Sequence, residues 1–195
     1  MKKIYKTLMI LSSATIISSC ATIIGGSSST AEASGDGMGP ATISDTSVNL
    51  QNDKFTALTI KGNLSATKLV IANDLFVESN ATLTKVTVKD DTTINGALNA
   101  TSCTFKDSVK INENSVVTNS YFGGSIEFGG TSLELLKGSK VIGGIISNNK
   151  NPVTIVVDHS QIRGDIGFAN SNSIVIIKNG GKITGNLING TLQKQ

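Results

Sequence analysis

LTIKGNLSATKLVIAND (58–74), LFVESNATLTKVTVKDD (75–91), TTINGALNATSCTFKDS (92–108) and VKINENSVVTNSYFGGS (109–125) are four copies of one 17-residue phrase, stacked without a gap. The third column reads Ile60, Val77, Ile94, Ile111, and the fourteenth Ile71, Val88, Phe105, Phe122. The seventh is Leu64, Ala81, Leu98, Ser115, and the tenth is threonine throughout: Thr67, Thr84, Thr101, Thr118. A short fixed period marks a solenoid, in which one unit cannot bury its own apolar face and stacks on its neighbours. Within a phrase the apolar residues alternate with a period of two, the pattern of strands. Thr, Val, Ile and Asn dominate and Gly recurs, which disfavours helix. The sequence therefore predicts an all-β, single-stranded parallel β-helix, each phrase forming one coil of short strands and corners.

Stacked coils lie about 4.8 Å apart, so each column becomes a ladder of touching side chains. The aliphatic columns form the interior. Asn63, Asn80 and Asn114 share a column broken by Ala97, and such a column can hydrogen-bond up and down the stack. Ahead of the clean repeats, 41–57 reads as a degenerate first coil, with Ile43 placed 17 residues before Ile60.

Beyond Ser125 the register loosens. Phe128 continues the third column, but the next matching stretch, from Val141, follows only 13 residues later. A short or bulged coil is expected near 126–140. From Val141 the period becomes 21, aligning Val141 with Ile162 and Ile183, and Val153 and Ile155 with Ile174 and Ile176. The added residues fall in 147–152 and 168–173, which are predicted to be protruding corner loops. The β-helix domain is expected over 41–195, with seven to eight coils and a length of about 35–40 Å.

The N-terminal stretch MKKIYKTLMILSSATIISSC has a basic start and an apolar run too short to span a bilayer. Its end, Ile17-Ser18-Ser19-Cys20, resembles a bacterial lipobox. The resemblance implies a lipoprotein signal peptide over 1–19, lipidation at Cys20 by acyl chains such as palmitate, and a membrane partner reached through that anchor. Ala21 in place of Asp, again by resemblance to bacterial lipoproteins, implies the outer membrane of a Gram-negative cell envelope. Residues 20–40 are rich in Ser, Gly and Ala and read as a flexible tether.

Charge and composition exclude some classes. Three of the 17 basic residues precede Cys20 and all 14 acidic residues follow it, so the chain beyond Cys20 carries 14 of each. With no Trp, one Tyr beyond Cys20 and no basic cluster, a nucleic-acid partner is not expected. Cys103 shares a column with Leu69 and Val86 and is expected inside as a small apolar residue. His159 is the one histidine, beside Asp158 and close to Arg163 and Asp165. It could pair with a carboxylate as a general base, but reads as a polar corner residue. Acids gather at the coil ends: Asp74, Asp90, Asp91, Asp107. Asp74, Asp91 and Asp107 are the metal candidates, for calcium, or paired carboxylates of a glycan-cleaving β-helix. Lys89 and Lys106 alternate with them, and acids are also ordinary corner residues. No catalytic residue and no cofactor are assigned.

The recurring GNL, GAL, GDI and GNL, at Gly62, Gly96, Gly164 and Gly185, resemble the bactofilin repeat. That resemblance implies a right-handed β-helix able to polymerise end to end, and so a homo-oligomer through the solenoid ends. The lipobox and the 21-residue coils depart from that pattern. The leading expectation is a non-enzymatic, lipid-anchored envelope protein presenting a rigid β-helix to a protein or glycan. Self-assembly and a polysaccharide-active enzyme are the alternatives.

Overall fold

The computed structural model describes residues 21–23, 29–30 and 39–195. Cys20 and the stretch expected as a signal peptide lie outside the described residues, as does most of the stretch expected as a tether. Inside that stretch, Ala21–Ile23 and Ser29–Thr30 pair in parallel with Ala41–Ile43 and Ser47–Gln51. The fold is a parallel β-solenoid of about nine turns, and the described residues contain no helix. This is slightly more than the seven to eight coils expected. The lowest full coil is 41–57, where Ile43 partners Ile60 and Phe55 partners Ile71, as the spacing predicted.

One coil shows the design. Leu58–Ile60 runs in the first sheet, Asn63–Thr67 in the second and Val70–Ile71 in the third. The first two sheets have ten strands each and the third eight, all parallel. Each strand lies over its equivalent one coil earlier, so the sequence columns become spatial ladders. Ile60, Val77, Ile94 and Ile111 are fully buried, as are Ile71, Val88, Phe105 and Phe122. The third-column, seventh-column and fourteenth-column residues thus meet in one continuous core along the axis. The threonine column faces outward on the second sheet.

The corners are built by residue-specific devices. Between the second and third sheets every complete coil places one residue in the left-handed region: Asn52, Lys68, Lys85, Ser102, Asn119, Lys137, His159 and Asn179, with φ of 47–57°. That conformation turns the chain and sends the next side chain inward, giving the buried column Leu69, Val86, Cys103, Ser120, Ser139, Ser160. The serines replace lost backbone pairing: Cys103 N–H donates to Ser120 Oγ at 2.9 Å, and Ser120 Oγ donates to Thr118 O at 2.9 Å. Between the first and second sheets the asparagine column works as expected. Asn80 N–H donates to Asn63 Oδ1 at 3.2 Å, Ala97 N–H to Asn80 Oδ1 at 2.8 Å, and Thr131 N–H to Asn114 Oδ1 at 2.7 Å.

Three sequence alignments are corrected. Val141 partners Phe122 rather than continuing from Phe128, whose strand pairs with Ile145–Ser147. Of the two expectations for the middle coil, the bulged one holds and the short one does not: Ile145 follows its partner Ile126 by 19 residues, against 17 between Val109 and Ile126. The extra residues sit in the corners at 129–131 and 137–139, where Gly138 adopts φ 88°. Secondly, Ile155 partners Val175, not Ile176, so Val175 is buried and Ile174 and Ile176 are half-buried on the outside. A one-residue slip reverses the facing of a strand, and here Ser173 takes the inward place, its Oγ accepting Val153 N–H at 3.0 Å. Thirdly, Gly62 and Gly96 lie between the first and second sheets, but Gly164 and Gly185 lie between the third and first. They do not form one ladder. Gly164 and Gly185 instead continue a stack from Gly124 and Gly143.

Candidate functional site

The corner between the third and first sheets carries the acids. Asp74 and Asp91 share one column, continued by Ser108 and Ser125; Asp90 and Asp107 share the column beside it. One carboxylate oxygen from each of Asp74, Asp90 and Asp91 lies within 4.8 Å of the others. Asp107 does not join them: its Oδ1 accepts Ser108 N–H at 2.8 Å and Ser108 Oγ–H at 3.3 Å. Of the three metal candidates, the structure thus brings Asp74 and Asp91 together, adds Asp90, and leaves Asp107 capping its own turn. All of Asp74, Asp90 and Asp91 are exposed. Calcium takes six to eight oxygens; one oxygen from each of the three carboxylates would leave the rest to second carboxylate oxygens or water. A glycosidase acid needs burial to stay protonated near neutrality, and solvent reaches all three.

Next to this corner lies a shallow groove of about 450 Å³ on the outer face of the first sheet. Its floor is the outward ladder Thr93, Lys110, Glu127, Ile146, one residue from each of four successive coils. Lys110 Nζ meets Glu127 Oε1 at 3.0 Å, and Ile146 is 52% exposed. One wall is Asp91, Ser108 and Ser125; the other is Asn148, at the start of the first corner loop. Beneath the floor, Thr92 occupies an inward place flanked by Leu75 and Val109, and its buried hydroxyl has no partner.

The corner loops are fastened to the stack. Asn149 Nδ2 donates to Gly129 O at 2.6 Å and Gly130 O at 3.1 Å, while Asn170 Nδ2 donates to Lys150 O at 2.7 Å. Each lengthened coil is therefore strapped to the one before it, and Asn148 is held over the groove. The outward ladder of the first sheet was not singled out in the sequence, although Lys110 and Glu127 stand 17 residues apart in opposite charge. That spacing was the available signal.

His159 stands at the second corner, its Nδ1 2.7 Å from Asp158 Oδ1. Asn179 Nδ2 also donates to that oxygen, at 3.0 Å. These two hydrogen bonds, Asn179's first, hold the Asp158 carboxyl below the usual carboxylate range. Arg163 and Asp165 lie at the next corner, where Asp165 Oδ1 accepts Asn186 N–H, so they do not assemble with His159. Cys103 is buried and its thiol is pushed up by desolvation, in keeping with its place inside the core. Among the described residues no helix is long and apolar enough to cross a membrane. A comparison with protein-family models, curated proteins and solved structures finds no significant match, so the fold and its surfaces carry the functional argument.

Proposed function

We propose that this chain is a non-enzymatic, lipid-anchored protein of the cell envelope, held at the outer membrane through Cys20, whose solenoid is a rigid binding surface for a glycan. The observation that supports the reading is the groove along Thr93, Lys110, Glu127 and Ile146. Its floor advances by one coil per residue, about 4.8 Å, close to the length of one pyranose unit. Hydroxyls, an ammonium, carboxylates and an amide line it around one apolar side chain. A sugar chain offers the matching mixture of hydroxyl donors and acceptors and apolar ring faces. The walls come from hydrogen-bonded corners, so little ordering would accompany binding.

The test is binding of envelope polysaccharide fractions to the full chain in mild detergent. K110A/E127A should weaken binding by about fivefold or more, from loss of two polar contacts, with stability within about 0.5 kcal/mol of the parent because both side chains are exposed. Thr84→Lys, on the second sheet, should leave binding unchanged. Equal binding by the groove variant would sink the reading. Release of reducing sugar would replace it with an enzyme. Filaments, or mass that grows with concentration in light scattering, would favour self-assembly, and capture of a protein alone would favour a protein partner. The anchor has its own test: labelled palmitate should enter the expressed chain and not its Cys20→Ser variant.

A further inference from the structure

A second concavity, of about 230 Å³, lies over the corner between the second and third sheets. Its shape follows from corner lengths. The turn containing His159 is one residue shorter than those above and below it, which carry Gly138 at φ 88° and Gly180 at φ 78°. The two glycine-expanded turns flank the shorter one, and the His159 side chain between them is 66% exposed. On the adjoining third sheet Lys140, Gln161 and Lys182 occupy successive coils of one outward column. The two ammonium-bearing residues are thus two coils apart, roughly 10 Å, with the Gln161 amide between.

The charged residues lining the concavity are Lys140 and Lys182, and His159 adds its imidazole. The acid nearest to it, Asp158, is already engaged by His159 Nδ1 and Asn179 Nδ2. The serine hydroxyls of this corner point inward: Ser139 Oγ donates to Leu136 O at 2.8 Å and Ser160 Oγ to Asp158 O at 2.8 Å. What remains facing the space is two ammonium groups, an amide and an imidazole edge. We propose that this concavity binds a tetrahedral oxyanion, a sulfate or phosphate group, either free or as an ester on a glycan.

The charged groups that face His159 are Asp158 on its own strand, Lys178 beside Asp158 in the next coil, Lys137 in the turn below, and Lys140 and Lys182 on the third sheet. Inorganic sulfate is the probe.

His159 is the chain's single histidine, so its imidazole resonance in the full chain in detergent reports the site alone. Sulfate should shift it saturably. Followed through the Gln161 amide, K140A/K182A should weaken binding by about fivefold or more. A linear, unsaturable shift, or unaltered affinity in the lysine variant, would overturn the proposal. A sulfated disaccharide binding more tightly than inorganic sulfate supports the site with a glycan ester as its source. Equal affinity supports it with the free ion as source. Equal binding of the unsulfated disaccharide at this site would overturn it.

Discussion

Gly164→Val should unfold the upper coils, with a loss of about 4 kcal/mol or more. Gly124, Gly143, Gly164 and Gly185 are stacked so closely that a side chain on one enters the backbone of the coil before it. A Cβ on Gly143 would stand 2.5 Å from Gly124 C; one on Gly164 would lie 2.6 Å from Gly144 N and closer still to the Gly143 carbonyl. Those atoms are backbone, locked by ladder hydrogen bonds such as Arg163 N–H to Val141 O at 2.9 Å. Relief would require separating two coils. Because a solenoid's stability is nearly a sum over neighbouring repeats, the damage should stay local. Amide exchange should lose protection across 145–195 and keep it across 58–125. Gly167→Ala is the control, since a Cβ there meets nothing within 4 Å, and it should change stability by no more than about 0.5 kcal/mol. A Gly164→Val variant that melts like its parent would show that the corner stack is not the constraint described.

The same corner explains where the sequence could and could not be read. In 58–125 each coil has equal length, so columns found by eye are columns in space, and the alternation of Leu58, Ile60, Leu64 and Ala66 places the core directly. At Gly129–Gly130 and Lys137–Gly138 the coil takes in extra residues, and the phase is lost. The mistake that followed has a physical cause. Ile60-Lys61-Gly62 and Ile162-Arg163-Gly164 are the same kind of triplet, an inward aliphatic residue ending a strand at a tight corner. One closes a first-sheet strand and the other a third-sheet strand. A solenoid with three similar corners offers no local signal to tell them apart. Ser173 hid the register of its strand for a related reason: it looks like a surface residue, yet it is fully buried and accepts a backbone hydrogen bond.

Site residues were legible to the extent that they depended on one column. The acidic edge was visible because Asp74 and Asp91 recur at 17 residues. Asp107's departure from the cluster depends on whether a neighbour at the next position can donate, which Ser108 does. The concavity over His159 was not visible at all. It arises from differences in corner length between three consecutive coils, and these emerge only once strand pairing fixes the register. His159 itself was read correctly as a corner residue. Its left-handed φ of 47° comes from the turn, not from any motif around it.

Phe105→Ala should cost about 3–5 kcal/mol, toward the upper part of that range. Phe105 is fully buried, with Val88 as its register partner in the coil below and Phe122 in the coil above. Its ring stacks on that of Phe122 with centroids 4.8 Å apart and planes at 21°, and an aromatic pair of this kind adds about 0.5–1.5 kcal/mol beyond burial. The cost of a large-to-small change depends on how far the site can collapse. Here the coil spacing is set by Lys106 N–H to Val88 O at 3.0 Å and Gly123 N–H to Phe105 O at 2.8 Å. The backbone cannot close the cavity without breaking those bonds. Phe105→Leu, which keeps most of the volume, should cost no more than about 1.5 kcal/mol. Chemical denaturation of the two variants would separate packing volume from other causes: equal midpoints would refute the cavity argument. The position also couples stability to binding. Ser108, a wall residue of the first-sheet groove, follows Phe105 by three residues around the same corner. Phe105→Ala should loosen that corner and so weaken ligand binding in the groove more than an equally destabilising change in the coils above 166, while leaving the His159 concavity unaffected.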